Sequence, residues 1–269
     1  MSIRTTIAAT AVLAGFAPAL AADLPSRSAP PPAPAIVPAF SWTGFYVGAH
    51  AGYAWGESSS RTALGGTWSS EGEAFRNNWI GVSNGKLSPA GFAGGLHLGA
   101  NYQMNQFVLG IEADVSYVGL KKRSANVGVP LSIAPGLNYA FSRSIETDWV
   151  FTLRPRAGLA FDRTLVYLTG GLAVGNVDGA WSVVGSNGYM KTGSASKSRT
   201  GYVLGAGVEH AFMNNLTARL EYLYTDLGKV SYNSTYVAGS TFGPPANYTE
   251  HQRQSLKFHT VRLGVSYKF

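Results

Sequence analysis

Residues 45–55 read FYVGAHAGYAW, and the rest of the chain is read outward from them. Phe45, Val47, Ala49, Ala51, Tyr53 and Trp55 are apolar, while Tyr46, Gly48, His50, Gly52 and Ala54 between them are mainly small or polar. A period of two is that of a β-strand, and alternation held this long puts the two faces in different surroundings. The run exceeds the ~5–6 residues of an ordinary strand and fits the ~9–11 that a tilted strand needs to cross a bilayer.

Seven more segments repeat the pattern, at residues 91–104, 107–118, 148–161, 165–177, 201–212, 216–227 and 256–269. Asn105-Gln106, Asp162-Arg163-Thr164 and Met213-Asn214-Asn215 read as tight polar turns. The remaining links, residues 57–89, 119–147, 180–200 and 228–255, are much longer, and short and long links alternate strictly. A soluble barrel has no reason to sort its loops in this way. The expectation is an all-β chain: an eight-stranded antiparallel transmembrane β-barrel with short periplasmic turns and four long external loops. Trp42, Phe45, Tyr53, Trp55, Tyr102, Phe107, Tyr117, Trp149, Phe161, Tyr202, Phe212, Tyr222, Tyr224, Tyr267 and Phe269 sit toward strand ends, where interfacial aromatic girdles are expected. Lipid offers no partner to a bare backbone N–H, so the first and eighth strands must pair.

Composition agrees. Only 13% of residues are charged, against roughly a quarter in soluble domains, and there is no cysteine, which excludes disulfides and thiolate-bound metal. Arg4, the uncharged run 7–17 and Ala19-Leu20-Ala21 form an export signal over residues 1–21, cleaved near Ala21 or Ala22 and too short for the ~20-residue span of a membrane helix. Residues 22–39, with PSRSAPPPAPAIVP at 25–38, read as a proline-rich periplasmic tether, and residues 40–269 as the barrel.

With the apolar face toward lipid, the barrel interior receives His50, His97, Glu112, Asp114, Arg154, Arg156, Glu209, Arg219, Glu221, Arg262 and Lys268. Apart from Lys268 and the two histidines these are four carboxylates and four arginines. Buried charges persist only when paired, and eight strands leave an interior that side chains can fill, so a structural network and no wide aqueous pore are expected. Pro155 lies within a strand and cannot donate to the ladder, so a bulge or bend is expected there. His210 falls on the apolar face.

The long links hold twelve basic residues (Arg61, Arg76, Lys86, Lys121, Lys122, Arg123, Arg143, Lys191, Lys197, Arg199, Lys229, Arg253) and five acids (Glu57, Glu71, Glu73, Glu146, Glu250). This surplus suits the phosphates and carboxylates of lipopolysaccharide. Nucleic acid is not expected, because no compact basic face on a soluble domain is indicated. No phosphate loop, metal pair or nucleophile elbow is found, so neither catalysis nor a cofactor is expected. His259 beside Thr260 lacks a supporting acid. His251 with Tyr189, Tyr232, Tyr236 and Tyr248 leaves a haem contact as a weak alternative.

WTGFYVG at 42–48 with GYAWG at 52–56 resembles the opening of the small outer-membrane β-barrel proteins of alphaproteobacteria. LGIEAD at 109–114 and GAGVE at 205–209 are similar to that family's third- and sixth-strand motifs. VRLGVSYKF at 261–269 resembles the alternating, Phe-terminated signal read by the barrel assembly machinery, with Val265, Tyr267 and Phe269 in the signal positions. The resemblance implies a porin-like, OmpA-barrel-type surface protein of the cell outer membrane, exported through the periplasm, with no catalytic residues and no soluble domain after the barrel. The expected role is structural and envelope-stabilising, with outer-membrane lipid and lipopolysaccharide as partners. The alternatives are a small diffusion porin and a surface receptor for haemin or a host ligand.

Overall fold

A computed structural model describes residues 40–130 and 136–269, so the expected signal (1–21) and tether (22–39) lie outside the described residues. The strands are β1 (Gly44–Gly66), β2 (Gly85–Leu87), β3 (Ala90–Met104), β4 (Phe107–Pro130), β5 (Asn138–Phe161), β6 (Thr164–Gly185), β7 (Met190–Ala211), β8 (Leu216–Asn233), β9 (Thr235–Tyr236) and β10 (Tyr248–Lys268). A 3-10 turn (Thr67–Ser70) and helix α1 (Glu73–Ser83) lie between β1 and β2. Pairing runs β1–β3–β4–β5–β6–β7–β8–β10 and returns from β10 to β1, from Tyr46↔Lys268 to Gly66↔Tyr248. Eight antiparallel strands thus close a ring, with β2 and β9 as accessory pairs on β1 and β7.

The lower part of the ring presents an apolar outer face. Leu96, Leu98, Leu109, Ile111, Leu168, Leu172, Leu204, Leu220 and Leu263 are all at least half exposed. One aromatic rim holds Phe45, Tyr102, Phe107, Phe161, Phe212 and Phe269, and the other holds Tyr53, Trp55, Tyr117, Trp149, Tyr202 and Tyr222. Phe45 to Trp55 is ten strand steps, which at ~3.3 Å each and a tilt of roughly 40° spans about 25 Å, the height of an outer-membrane apolar band.

Above the second rim the structure departs from the expected long loops. β4 and β5 are 24 residues each and β1 is 23, so most of residues 57–66, 119–130, 138–147, 180–185 and 248–255 continue the barrel wall. The polarity of the two faces also inverts. In β5, Trp149, Phe151 and Leu153 point out and Thr152, Arg154 and Arg156 point in, whereas higher up Tyr139, Phe141 and Ile145 point in. Register shifts at Tyr117/Leu120 and Glu146/Val150 accompany the changeover. In β8 it falls at Gly228, whose φ of +72 permits the irregularity that turns the inward parity from Leu227 to Val230. The first storey is therefore polar inside and apolar outside; the second is polar outside, with an interior that is apolar along β5 and β6 and polar along β1 and β10, where Ser58, Ser60, Thr62, Glu250, Gln252 and Gln254 are buried.

Three expectations are corrected. Pro155 produces no bulge: it pairs with Ile111 in continuous register, and Arg154 and Arg156 both point inward. The β6 ladder lapses at residues 154–155, so the missing N–H falls in that gap, where Thr169 Oγ1 donates to the Pro155 carbonyl at 2.9 Å. Trp42 leaves the girdle and is buried inside the periplasmic end with Val108, Ala160, Leu165, Tyr167 and Ala211. Lys268 lies at the rim and not in the interior, donating to the carbonyls of Ser41 and Thr43.

Candidate functional site: a sealed interior

The strand parity brings all eight expected interior charges together: Glu112 and Asp114 from β4, Arg154 and Arg156 from β5, Glu209 from β7, Arg219 and Glu221 from β8, and Arg262 from β10. None is more than 3% exposed. Arg154 is shared by three carboxylates, at 2.6 Å from Glu112, 3.0 Å from Asp114 and 3.3 Å from Glu221. Glu112 also accepts from Arg219 and, at 2.8 Å, from the Tyr46 hydroxyl. Arg262 joins Asp114 (3.2 Å) to Glu221 (2.6 Å), and Arg156 reaches Glu209 at 2.7 Å while lying 3.9 Å over the Tyr167 ring. The four-to-four balance matters because a buried charge without its partner costs several kcal/mol.

Tyr46 and Tyr167 fit the layer because the strands opposite are thinned by glycine. A Cβ on Gly99 would stand 2.4 Å from the Tyr46 hydroxyl, and one on Gly207 2.5 Å from the Tyr167 ring. His50 and His97, from β1 and β3, lie in the same layer, with ring nitrogens 2.9 Å from Ser116 Oγ and 2.8 Å from Ser266 Oγ respectively.

The charged layer is closed below and above. Below it is the Trp42 cluster, with Phe40 edge-on to Trp42 at 5.0 Å. Above it, a cavity of about 20 Å³ beside His50, Asp114, Thr152 and Thr260 has room for about one water. Higher still, Leu227, Val230, Ile145, Phe141, Trp181 and Val183 fill the second storey.

Helix α1 caps this core. Trp79 is 1% exposed and meets Tyr139, Phe141 and Tyr189 edge-on at 4.8, 5.6 and 5.6 Å. Arg143 donates to the Val82 carbonyl at 2.8 Å and the Ser83 carbonyl at 3.1 Å, a cation on the helix C-terminus, where the orphan carbonyls and the dipole favour it. Burial lowers the Arg143 pKa from its usual value. A second pin is the buried pair Lys191–Glu250 at 2.7 Å. Glu250 also accepts from Trp68 Nε1 (3.2 Å), the Ser234 hydroxyl and the Tyr189 hydroxyl. Burial, reinforced by Glu250, pushes the Tyr189 hydroxyl well above its usual pKa.

Arg143, Lys191 and Glu250 were expected on the outer surface and are inside it, which corrects that expectation. Sequence reasoning also missed Trp68 and Trp79. The one available signal was the inward alternation Tyr139, Phe141, Arg143, Ile145 beyond the membrane-length segment. Of the four tyrosines considered for haem, Tyr189 packs against Tyr236 and Tyr248 at 6.0 and 6.1 Å, but each hydroxyl has its own protein partner: Tyr189 donates to Glu250, Tyr232 to Gln254 at 3.2 Å, Tyr236 to the Ala246 carbonyl at 3.2 Å and Tyr248 to Glu71. His251 is on the outer face beside Asn233. His259 lies in the external rim, stacked between Trp55 and Tyr222, with Nδ1 2.6 Å from the Tyr222 hydroxyl. His210 is exposed, 3.0 Å from Thr164 Oγ1. Val265, Tyr267 and Phe269 line up on the outer face of the closing strand.

Comparison with known proteins gives a consistent result. The family model described as outer membrane protein beta-barrel domain matches residues 7–269. The 31 kDa outer-membrane immunogenic protein of Brucella melitensis is 36% identical over 258 residues, covering 93% of each chain. The 22 kDa outer membrane protein of Rhizobium leguminosarum bv. viciae is 30% identical, over 87% of this chain and 81% of that protein. Among solved structures, Neisserial surface protein A aligns over 84% of this chain and 98% of its own, at 15% identity and a TM-score of 0.37. OprG of Pseudomonas aeruginosa aligns over 86% and 99%, at 10% identity and a TM-score of 0.43. At those scores the structural likenesses carry no functional argument.

Proposed function

The chain belongs to the outer membrane protein β-barrel family, and on that premise we propose that this integral outer-membrane surface protein is a sealed structural element of the envelope, neither a diffusion pore nor an enzyme. The observation that carries the reading is the interior charged layer. Its eight ionised side chains are mutually paired at no more than 3% exposure, between an apolar plug below and an aromatic core above. An aqueous path would require those pairs to part, and each separated charge would have to be solvated inside an eight-stranded ring.

The partners follow from the two faces. The apolar band faces lipid. Val265, Tyr267 and Phe269 are presented to the assembly machinery before β10 closes on β1. The basic outer wall, including Lys122, Arg123, Lys197, Lys229 and Arg253, faces the anionic sugars and phosphates of lipopolysaccharide. The relatives' printed names, an outer-membrane immunogenic protein and an outer membrane protein, support a non-catalytic surface role.

The test is single-channel recording of the refolded protein in a planar bilayer, with heat-modifiable migration confirmed on the same sample. Silence is expected. Reproducible conductance steps that change when Arg154 or Glu112 is neutralised would overturn the reading in favour of a pore.

A further inference from the structure

The sealed interior makes no use of a groove of about 950 Å³ on the outer wall, where β1, β10 and β8 run side by side just above the external aromatic rim. The register irregularity between Ser255 and Lys257 bends β10 there. The lower edge of the groove is the rim itself, through Trp55, Tyr224 and His259.

Two features of the groove point to an anionic occupant. First, Arg61 and Arg253 are directly opposite one another across the β1–β10 pair, both exposed, and neither has a carboxylate partner among the described residues. Like charges in that position destabilise a sheet, and an anion lying across both removes the penalty. Second, the charge is graded with height. Lys257, two residues above the rim, is held by Asp226 at 3.3 Å, and Lys86 by Glu57 at 3.1 Å, whereas Lys229, level with Lys86, and the higher Arg61 and Arg253 have no acid partner among the described residues.

The height identifies the occupant. Arg61 is six strand steps above Trp55, about 15 Å beyond the membrane boundary. A ligand filling the groove therefore begins at the lipid interface and carries negative charge over that distance. A phospholipid headgroup is too short, and a free anion would have no reason to touch the rim. We propose that the groove docks the phosphorylated and carboxylated saccharide of an outer-leaflet glycolipid of the lipopolysaccharide class, with its acyl chains on the band below. This rests on the outer-membrane reading above and narrows its diffuse basic contact to one site.

The test uses the full-length refolded protein in detergent, titrated with rough-type lipopolysaccharide, with the same material dephosphorylated, and with inorganic phosphate as competitor. The variant R61S/R253S is compared with K122S/R123S, which removes the same charge from the β4 wall. Heat-modifiable folding is verified for each. Two surface cations at about 1 kcal/mol each predict roughly thirtyfold weaker binding for the groove variant. The β4 variant is expected to stay within about twofold. Without glycolipid, R61S/R253S should melt no lower than the parent, because repulsion has been removed.

Equal weakening by both variants would overturn the groove while leaving the diffuse basic contact standing. Full competition by millimolar phosphate would mean a free-anion site and would also overturn it. Equal binding of intact and dephosphorylated material by the parent would remove both the groove and the diffuse contact.

Discussion

The two storeys of this barrel solve opposite solvation problems with one backbone. In the membrane, lipid takes the apolar face, so polar groups have to go inside, where they are stable only as a closed set of pairs. Outside it, water takes the polar face, and the interior can be ordinary core: Trp79, Phe141, Trp181 and Ile145 are each at most 1% exposed. The lower layer is one shared ionic lattice, whereas the upper one is mainly apolar contact with the Lys191–Glu250 pair and Arg143 as separate polar pins. Their responses to mutation should therefore differ in kind as well as in size.

The largest effect is expected in the lattice. Arg154→Met leaves Glu112, Asp114 and Glu221 short of their shared cation and should cost about 3–5 kcal/mol. The loss should be global, seen as disappearance of the compact heat-modifiable band. A variant that keeps that band at the parent's urea midpoint would erase the distinction between the storeys.

Trp79→Ala should cost about 3 kcal/mol from the cavity it leaves, but only in the second storey. Limited proteolysis should open residues 67–83 while the compact band persists. Simultaneous loss of both would show that the storeys are one cooperative unit. Arg143→Met is smaller, about 1–3 kcal/mol, because two helix-end carbonyls lose their donor. Hydrogen exchange should rise in α1 and not in the band.

The smallest effect is a pH dependence. The hydrogen bond to Glu71, with some burial, raises Tyr248 to about 12. A folded-state value above the unfolded one of about 10 makes this contribution complete below pH 10 and lost as pH climbs toward 12. Protease susceptibility of the outer storey should rise across that window in the parent and less steeply in Tyr248→Phe, the remaining slope coming from other raised tyrosines such as Tyr189.

The first storey was legible because lipid imposes a strong contrast between faces, and Phe45 to Trp55 carry it without interruption. The eight interior charges followed from the same parity. The second storey was read as loop for a physical reason. Its outward positions, such as Ser142 and Ser144, are polar and small, and its inward run from Tyr139 to Ile145 is out of phase with Val150 to Arg156 across the irregularity at residues 146–150. Lys191 and Glu250 looked like surface charges because their pairing spans 59 residues of sequence. Trp42 was assigned to the rim by its place in the chain, yet it lies inside, because Phe40 and Trp42 close the ring from within.

The extension of the strands has one further consequence. Four flexible loops would have to freeze on contact, at about 0.5–1.5 kcal/mol for each immobilised side chain, with backbone ordering in addition. Here the backbone of β1, β5 and β10 is already held in ladders well above the membrane. Whatever lands on that wall meets a surface ordered during folding. Its affinity is reduced by side-chain ordering but not by loop ordering, and its association rate is set by diffusion and charge without a slow rearrangement.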